Sequence, residues 1–556
     1  MSEIDPTRLA ILARGLKAAA EEMGLNLIRS AFSTVVREAR DCSAAILDIK
    51  GQVIAQGDVI PMQTAAMSRS FAACMAQLDL SKVTPDSAIL LNDPYSGGQH
   101  LNDIILFQPI FLDAKLLGWT GNTAHHLDIG GGTAGINPAA VELVQEGLII
   151  PPILFEVSRD WHGGAVERLI FANIRTAEIG LGDINAQFAA NHIGIERVQD
   201  MARREGPEMV AAAMAASLDY SERRTRAAIA ALPDGCWTGK AWFDHDILGT
   251  EPVCVVATVT IQGDALTVDF TGTTPQVRGM FNAPIASATS ATLTAVRSIL
   301  ADNDIPANDG CNRPITLVFP EGSVINPRKG APVRARMVAA LRTLDAVHAA
   351  LAQAAPDAVP AQGFNTTTAL YFSQPRGDGT SRMYCDVLSG GFGAGKNYDG
   401  AHALDHILSS CRITPVESLE QVETYLRIRR FAMLPDSGGA GAFQGGLGYV
   451  REYEVVESGV LLTTYSDHFE LPPKGAGGGR DAALGRLSIQ RGNEILPQPA
   501  ATIQTLQKGD VVSIFLGGGA GWGRPEDRDP GRVKSDIADG IITPDFASRF
   551  YDVEPS

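Results

Sequence analysis

The chain reads as a multi-domain α+β protein, rich in β-strand, with a helix at its N-terminus and a helical segment near its middle. Three observations carry that expectation. Apolar residues fall at three- and four-residue steps in only a few stretches of the 556 residues. Short apolar runs bounded by turn residues fill much of the remainder. Glycine then crowds the last third, between runs of the same strand-like kind.

Each element has its own signal. Leu9, Leu12, Leu16, Ala19, Met23 and Leu27 lie on one helical stripe, and Asp5-Pro6 supplies an N-cap and a first-turn proline. Two apolar runs, 44–48 and 52–55, flank Lys50-Gly51 and predict a hairpin. Strands are expected at 88–91, 104–111 and 116–123. From 186 to 231, alanine, arginine and glutamate at helical spacing predict one or two long helices. Pro233-Asp234-Gly235 ends them with strong turn chemistry. "VCVVATVTI" and "ALTVDFTG" read as strands, followed by a helix around 286–301. "SGGFGAGKNYDG", "DSGGAGAFQGGLG", "PPKGAGGGR" and "LGGGAGWGRP" mark a compact β region with tight turns. A chain this long exceeds one simple core. We expect an N-terminal α+β region over 1–232, a central α+β domain over 233–385 and a glycine-rich β domain over 386–556.

Composition narrows the function. With 45% apolar and 20% charged residues the chain is an ordinary folded protein. A net charge of −17 argues against nucleic acid, which requires a basic face. No apolar run approaches the roughly 20 residues that span a bilayer, and "MSEIDPTRLA" does not read as a signal peptide. Seven scattered cysteines, never paired as C-x-x-C, suit reduced thiols in a cytoplasm.

Chemistry concentrates in "NDPYSGGQHLNDIILF" (92–107) and "NTAHHLDIGGG" (122–132). The apolar runs 104–111 and 116–123 are joined by a short polar loop, which predicts an antiparallel hairpin whose paired positions sum to about 227 or 228. Asp103 then faces His125, with Cβ atoms roughly 5 Å apart. Gly97-Gly98 lets His100 fold back over the same rim. Two histidines and a carboxylate suit Zn²⁺, Mn²⁺ or Fe²⁺ and not Ca²⁺, and they leave coordination positions open, as catalytic sites do. His126 and Asp128 follow the ligands and are expected beside the open positions, as the general base. "GGFGAGKN" (390–397) imitates a phosphate loop, but Asn397 stands where that loop needs a hydroxyl, so it reads as a tight turn.

These residues also carry a resemblance. "RDCSAAILDIKGQVIAQ", "NDPYSGGQHLNDI", "NTAHHLDIGG", "DFTGTTPQVRGMFNAP", "GCNRPITLVFPEGSVINP", "PDSGGAGAFQGGLGYVREYE" and "GGGAGWGRPEDRDPGRV" resemble, in order, the blocks of the hydantoinase B/oxoprolinase family. The resemblance implies a hydantoinase B-like fold and a divalent ion held by His100, Asp103 and His125, with Asp41 of the "RD-x-S" block as fourth ligand. It implies an A-type, kinase-like partner that binds ATP and Mg²⁺ and phosphorylates the substrate, in an (AB)2 assembly. The implied reaction is ATP-dependent opening of a cyclic amide such as a hydantoin, oxoproline or lactam. The alternative is a component of a ketone carboxylase of the acetone or acetophenone type.

Overall fold

A computed structural model describes residues 4–57, 60–302, 304–378 and 380–551. Its first sheet has six antiparallel strands, in the order Val53–Gln56, Cys42–Leu47, Lys115–His125, Asp103–Leu112, Ser87–Leu91 and Ile153–Glu156. Alternating residues of these strands face opposite ways, as a pleat requires. Ala44, Ile46 and Ala124 join a core with Leu16, Met23 and Leu27 of helix Pro6–Ser30, while Ala45, Leu47 and Trp119 pack with Met67, Phe71 and Cys74 of helix Pro61–Gln77. The N-cap is as expected, with Asp5 Oδ2 accepting from the Arg8 N–H at 2.9 Å.

The central hairpin has the expected register. From Asp103↔His125 to Ile110↔Gly118 the pairs sum to 228, and after a bulge at Ile110/Phe111 the pairs Phe111↔Leu116 and Leu112↔Lys115 sum to 227. Asp113, with φ 52°, turns the loop. The helical segment is two helices, Ala177–Glu205 and Pro207–Ala230, broken at Gly206-Pro207, where Gly206 has φ 90°. The first begins nine residues before the expected start, at Ala177 rather than 186.

A second sheet, Gly235–Phe243, Val253–Gln262, Ala265–Asp269 and Ile315–Val318, packs on helix Met337–Ala354. Periodicity had not revealed that helix. Two further sheets enclose one core. Thr368–Pro375, Ser381–Leu388, Val460–Tyr465 and Thr502–Leu506 form one; Leu426–Met433, Tyr449–Val455, Arg486–Arg491, Glu494–Gln498 and Val511–Phe515 form the other. The division expected after residue 385 falls inside Ser381–Leu388, and that strand belongs to a sheet completed by the C-terminal third. The glycine-rich stretches run against one another. Gly391 N donates to Gly517 O at 3.0 Å and Gly519 N to Gly446 O at 2.8 Å. A Cβ at Gly445 would overlap the Gly519 carbonyl.

Candidate metal centre

Three segments distant in sequence meet at the rim of the first sheet. The Asp103↔His125 pair closes the hairpin, His100 folds back from the turn before it, and Asp41 precedes the neighbouring strand Cys42–Leu47. Asp41 O accepts from His125 N at 3.0 Å, so backbone pairing sets its place. His100 Nε2 lies 3.1 Å from His125 Nδ1 and 3.2 Å from Asp103 Oδ1. His125 Nδ1 lies 3.4 Å from Asp103 Oδ1 and 3.5 Å from Asp41 Oδ2. Ligands about 2.0–2.2 Å from one tetrahedral ion stand about 3.3–3.6 Å apart, close to this spacing. His100, Asp103 and His125 form a group that could hold a metal ion, and all three are buried.

The surroundings fit such an ion. Asp103 Oδ1 is buried with no hydrogen-bond donor, which is costly for a carboxylate facing nothing. Its other oxygen accepts from Arg336 Nη2 at 2.7 Å, and Asp41 Oδ1 accepts from Gln63 Nε2 at 2.7 Å. With Nε2 turned to the shared point, His100 Nδ1 donates to the Arg334 carbonyl at 3.2 Å; His125 Nε2 likewise donates to Tyr371 Oη at 3.1 Å. Burial, with Arg336 and Arg334 adding to it, lowers the His100 pKa well below the usual value, so the ring is neutral with a lone pair to give. Burial opposes ionisation of Asp103, but the facing His100 imidazole and the Arg336 charge outweigh it and hold its pKa well below the usual range. Burial pushes Asp41 up to about 6 against the pull of His125.

Asp41, His100 and His125 open onto a cavity of about 50 Å³, with Asp103 buried behind them. Ile60, Met62, Met337 and Leu408 give it apolar walls, and Arg334, Arg336, Tyr371 and Thr367 its polar ones. Neither His126 nor Asp128 lines it. His126 points into the sheet–helix interface, with Nε2 3.0 Å from Gln187 Oε1. Asp128 is spent on structure. Its carboxylate accepts from Gly130 N, Arg175 N and Thr176 N beside the start of helix Ala177–Glu205, and pairs with the Arg175 guanidinium at 3.3 Å. The glycine-lysine stretch is a turn without a following helix, and Lys396 pairs with Asp357.

Sequence reasoning had passed over Arg334, Arg336, Tyr371 and the pair Thr367–His406, whose Oγ1 and Nε2 are 2.7 Å apart. The signal for the arginines was present in "GAPVRARM", two guanidiniums in an otherwise apolar run.

Fold and site together describe a multi-domain α+β protein with a buried His/Asp centre. The chain belongs to the hydantoinase B/oxoprolinase family, whose model matches residues 5–525. It is 31% identical to the putative B component of the D-/L-hydantoinase of Pseudomonas sp. strain NS671, over 100% of this chain and 96% of that protein. The crystal structure of the ATP-dependent caprolactamase from Pseudomonas jessenii superposes with a TM-score of 0.91 at 27% identity, covering 100% of this chain and 97% of the other. Nucleotide-free acetone carboxylase shares the fold, with a TM-score of 0.86 at 19% identity over 98% of this chain and 79% of the other.

Proposed function

We propose that this chain is the metal-bearing, B-type component of a cytoplasmic, ATP-dependent cyclic amide hydrolase. The observation that carries the reading is the convergence of His100, Asp103, His125 and Asp41 at ligand spacing, with Asp41, His100 and His125 lining one cavity. Relatives named as a hydantoinase component and a caprolactamase support the substrate class, a hydantoin, oxoproline or lactam ring. The hydantoinase relative is one part of a larger enzyme, which supports an A-type partner holding ATP and Mg²⁺ in an (AB)2 complex. When bound, a divalent ion (Zn²⁺, Mn²⁺ or Fe²⁺) supplies Lewis acidity and a water acidified towards neutrality.

A five-membered lactam is a poor electrophile, and phosphorylation of its oxygen by the partner activates the carbon. Water adds there, the ring nitrogen takes a proton, and the C–N bond breaks to leave a ring-opened acyl phosphate. A second water releases phosphate, so one ring, one ATP and two waters give the open acid, ADP and phosphate. The apolar walls exclude further water. Thr367 and His406 take the proton from the attacking water in place of His126 and Asp128; burial lowers the His406 pKa, so its ring is a neutral acceptor. The test is metal analysis of the gently purified chain, with product analysis of the reconstituted pair. One bound divalent ion and ring-opened acid formed without bicarbonate are expected. A metal-free chain, or a carboxylated ketone as product, would overturn the reading.

A further inference from the structure

Five arginines are buried among the described residues: 334, 336, 342, 451 and 528. Four of them have a carboxylate within reach. Arg336 pairs with Asp103 at 2.7 Å, Arg342 with Asp345 at 3.3 Å, Arg451 with Asp386 at 3.4 Å and Arg528 with Asp399 at 2.8 Å. Arg334 is 4% exposed and has none among the described residues. Its Nη2 donates to Tyr371 Oη at 2.7 Å, and the guanidinium lies over that ring, 5.3 Å from the centroid. Its Nη1 is 3.2 Å from His100 Nδ1, a nitrogen already donating to the Arg334 carbonyl and so unable to accept. Glu146 fixes only the backbone here, accepting from Arg334 N at 2.9 Å and Val333 N at 3.1 Å.

A buried guanidinium without an anion is strongly unfavourable, and this one lines the same cavity as Asp41, His100 and His125. We propose that Arg334 is the anion receptor of the cavity and binds the phosphoryl oxygens of the activated substrate. Its forked donors match phosphate geometry. A doubly charged group entering beside Asp41 and Asp103 also needs a cation that those carboxylates do not already hold, and Arg336 is committed to Asp103. A ring carboxylate is the other anion of matching chemistry.

The inference rests on the proposed function for the origin of the phosphoryl group, but binding is read without turnover. The experiment is calorimetric titration of the full chain with inorganic phosphate and, separately, acetate, with its divalent ion and after chelation. Wild type is expected to prefer phosphate. Arg334→Met is expected to weaken phosphate binding at least about tenfold with metal content unchanged, since charge-assisted bonds are lost. Arg334→Lys is expected to fall between the two, and it carries the test if the methionine variant does not fold. Phosphate affinity unchanged by either substitution, or acetate binding as tightly as phosphate, would overturn the assignment. A chain that holds no ion yet binds phosphate through Arg334 would overturn the metal reading alone.

Discussion

At the scale of single residues, the proposed centre separates groups that would hold an ion from groups that hold the fold. His100 and His125 give their outer nitrogens to a carbonyl and a phenol, and both can be shortened without stranding a charge. His100→Ala and His125→Ala are therefore expected to lose the ion, as read by plasma mass spectrometry, while remaining soluble. Asp103 is different, because it neutralises buried Arg336 at 2.7 Å. Asp103→Ala leaves that guanidinium alone, and breaking a buried pair from one side costs about 3–5 kcal/mol. Denaturant midpoints compared among the three variants check this. Equal stability of Asp103→Ala and His100→Ala would show that Arg336 does not depend on the carboxylate.

At the scale of elements, the segment carrying Arg334 and Arg336 is anchored by one carboxyl. Glu146 accepts both N–H groups of Val333 and Arg334, and burial pushes its pKa up to about 7. The folded pKa exceeds the unfolded value, so the associated stability is complete below about pH 4.5 and is lost as pH rises to about 7. The shift corresponds to about 3 kcal/mol. Glu146→Gln, which cannot ionise, is expected to lose less stability than wild type between pH 5 and 8 in parallel urea titrations; matching pH profiles would refute the assignment. Legibility in the sequence follows the same local logic. The central hairpin could be registered because a short loop fixes which residues pair, and the bulge at Ile110/Phe111 changes the sum only from 228 to 227. Helix Met337–Ala354 is buried nearly all round, from Met337 through Leu351, and even its polar Arg342, Asp345 and His348 meet protein and not solvent. Asp41 came from the resemblance alone, since its strand pairs with Lys115–His125 across a long stretch of chain. Arg334 and Tyr371 arrive from later segments by tertiary packing, and the signal in "GAPVRARM" marks the arginines without saying where they dock. The same packing defeated His126 and Asp128, whose spacing was right and whose directions were not.

At the scale of the whole molecule, the proposed function gives this chain the handling of an activated ring and the partner its activation. The cavity gathers nitrogen and carboxylate side chains at ligand spacing, an arginine with no carboxylate partner among the described residues, and the Thr367 hydroxyl, with His406 beside it. The one stretch that imitates a nucleotide loop has Asn397 at φ 76° and its lysine tied to Asp357, with glycines that serve to pack chain against chain. That division predicts how two activities separate. The chain alone is expected neither to hydrolyse ATP nor to open a cyclic amide, and both activities should emerge when an A-type partner is added. In the reconstituted pair, Asp103→Asn, which keeps the shape of the side chain, is expected to stop ring opening while substrate still stimulates ADP formation, because the proposed function puts phosphorylation on the partner. ADP and open acid counted in parallel give the coupling ratio, near one for wild type and falling at least about tenfold for the variant, since a missing ligand removes metal-assisted attack. ATP turnover by the chain alone would reverse the division of labour and return attention to Lys396.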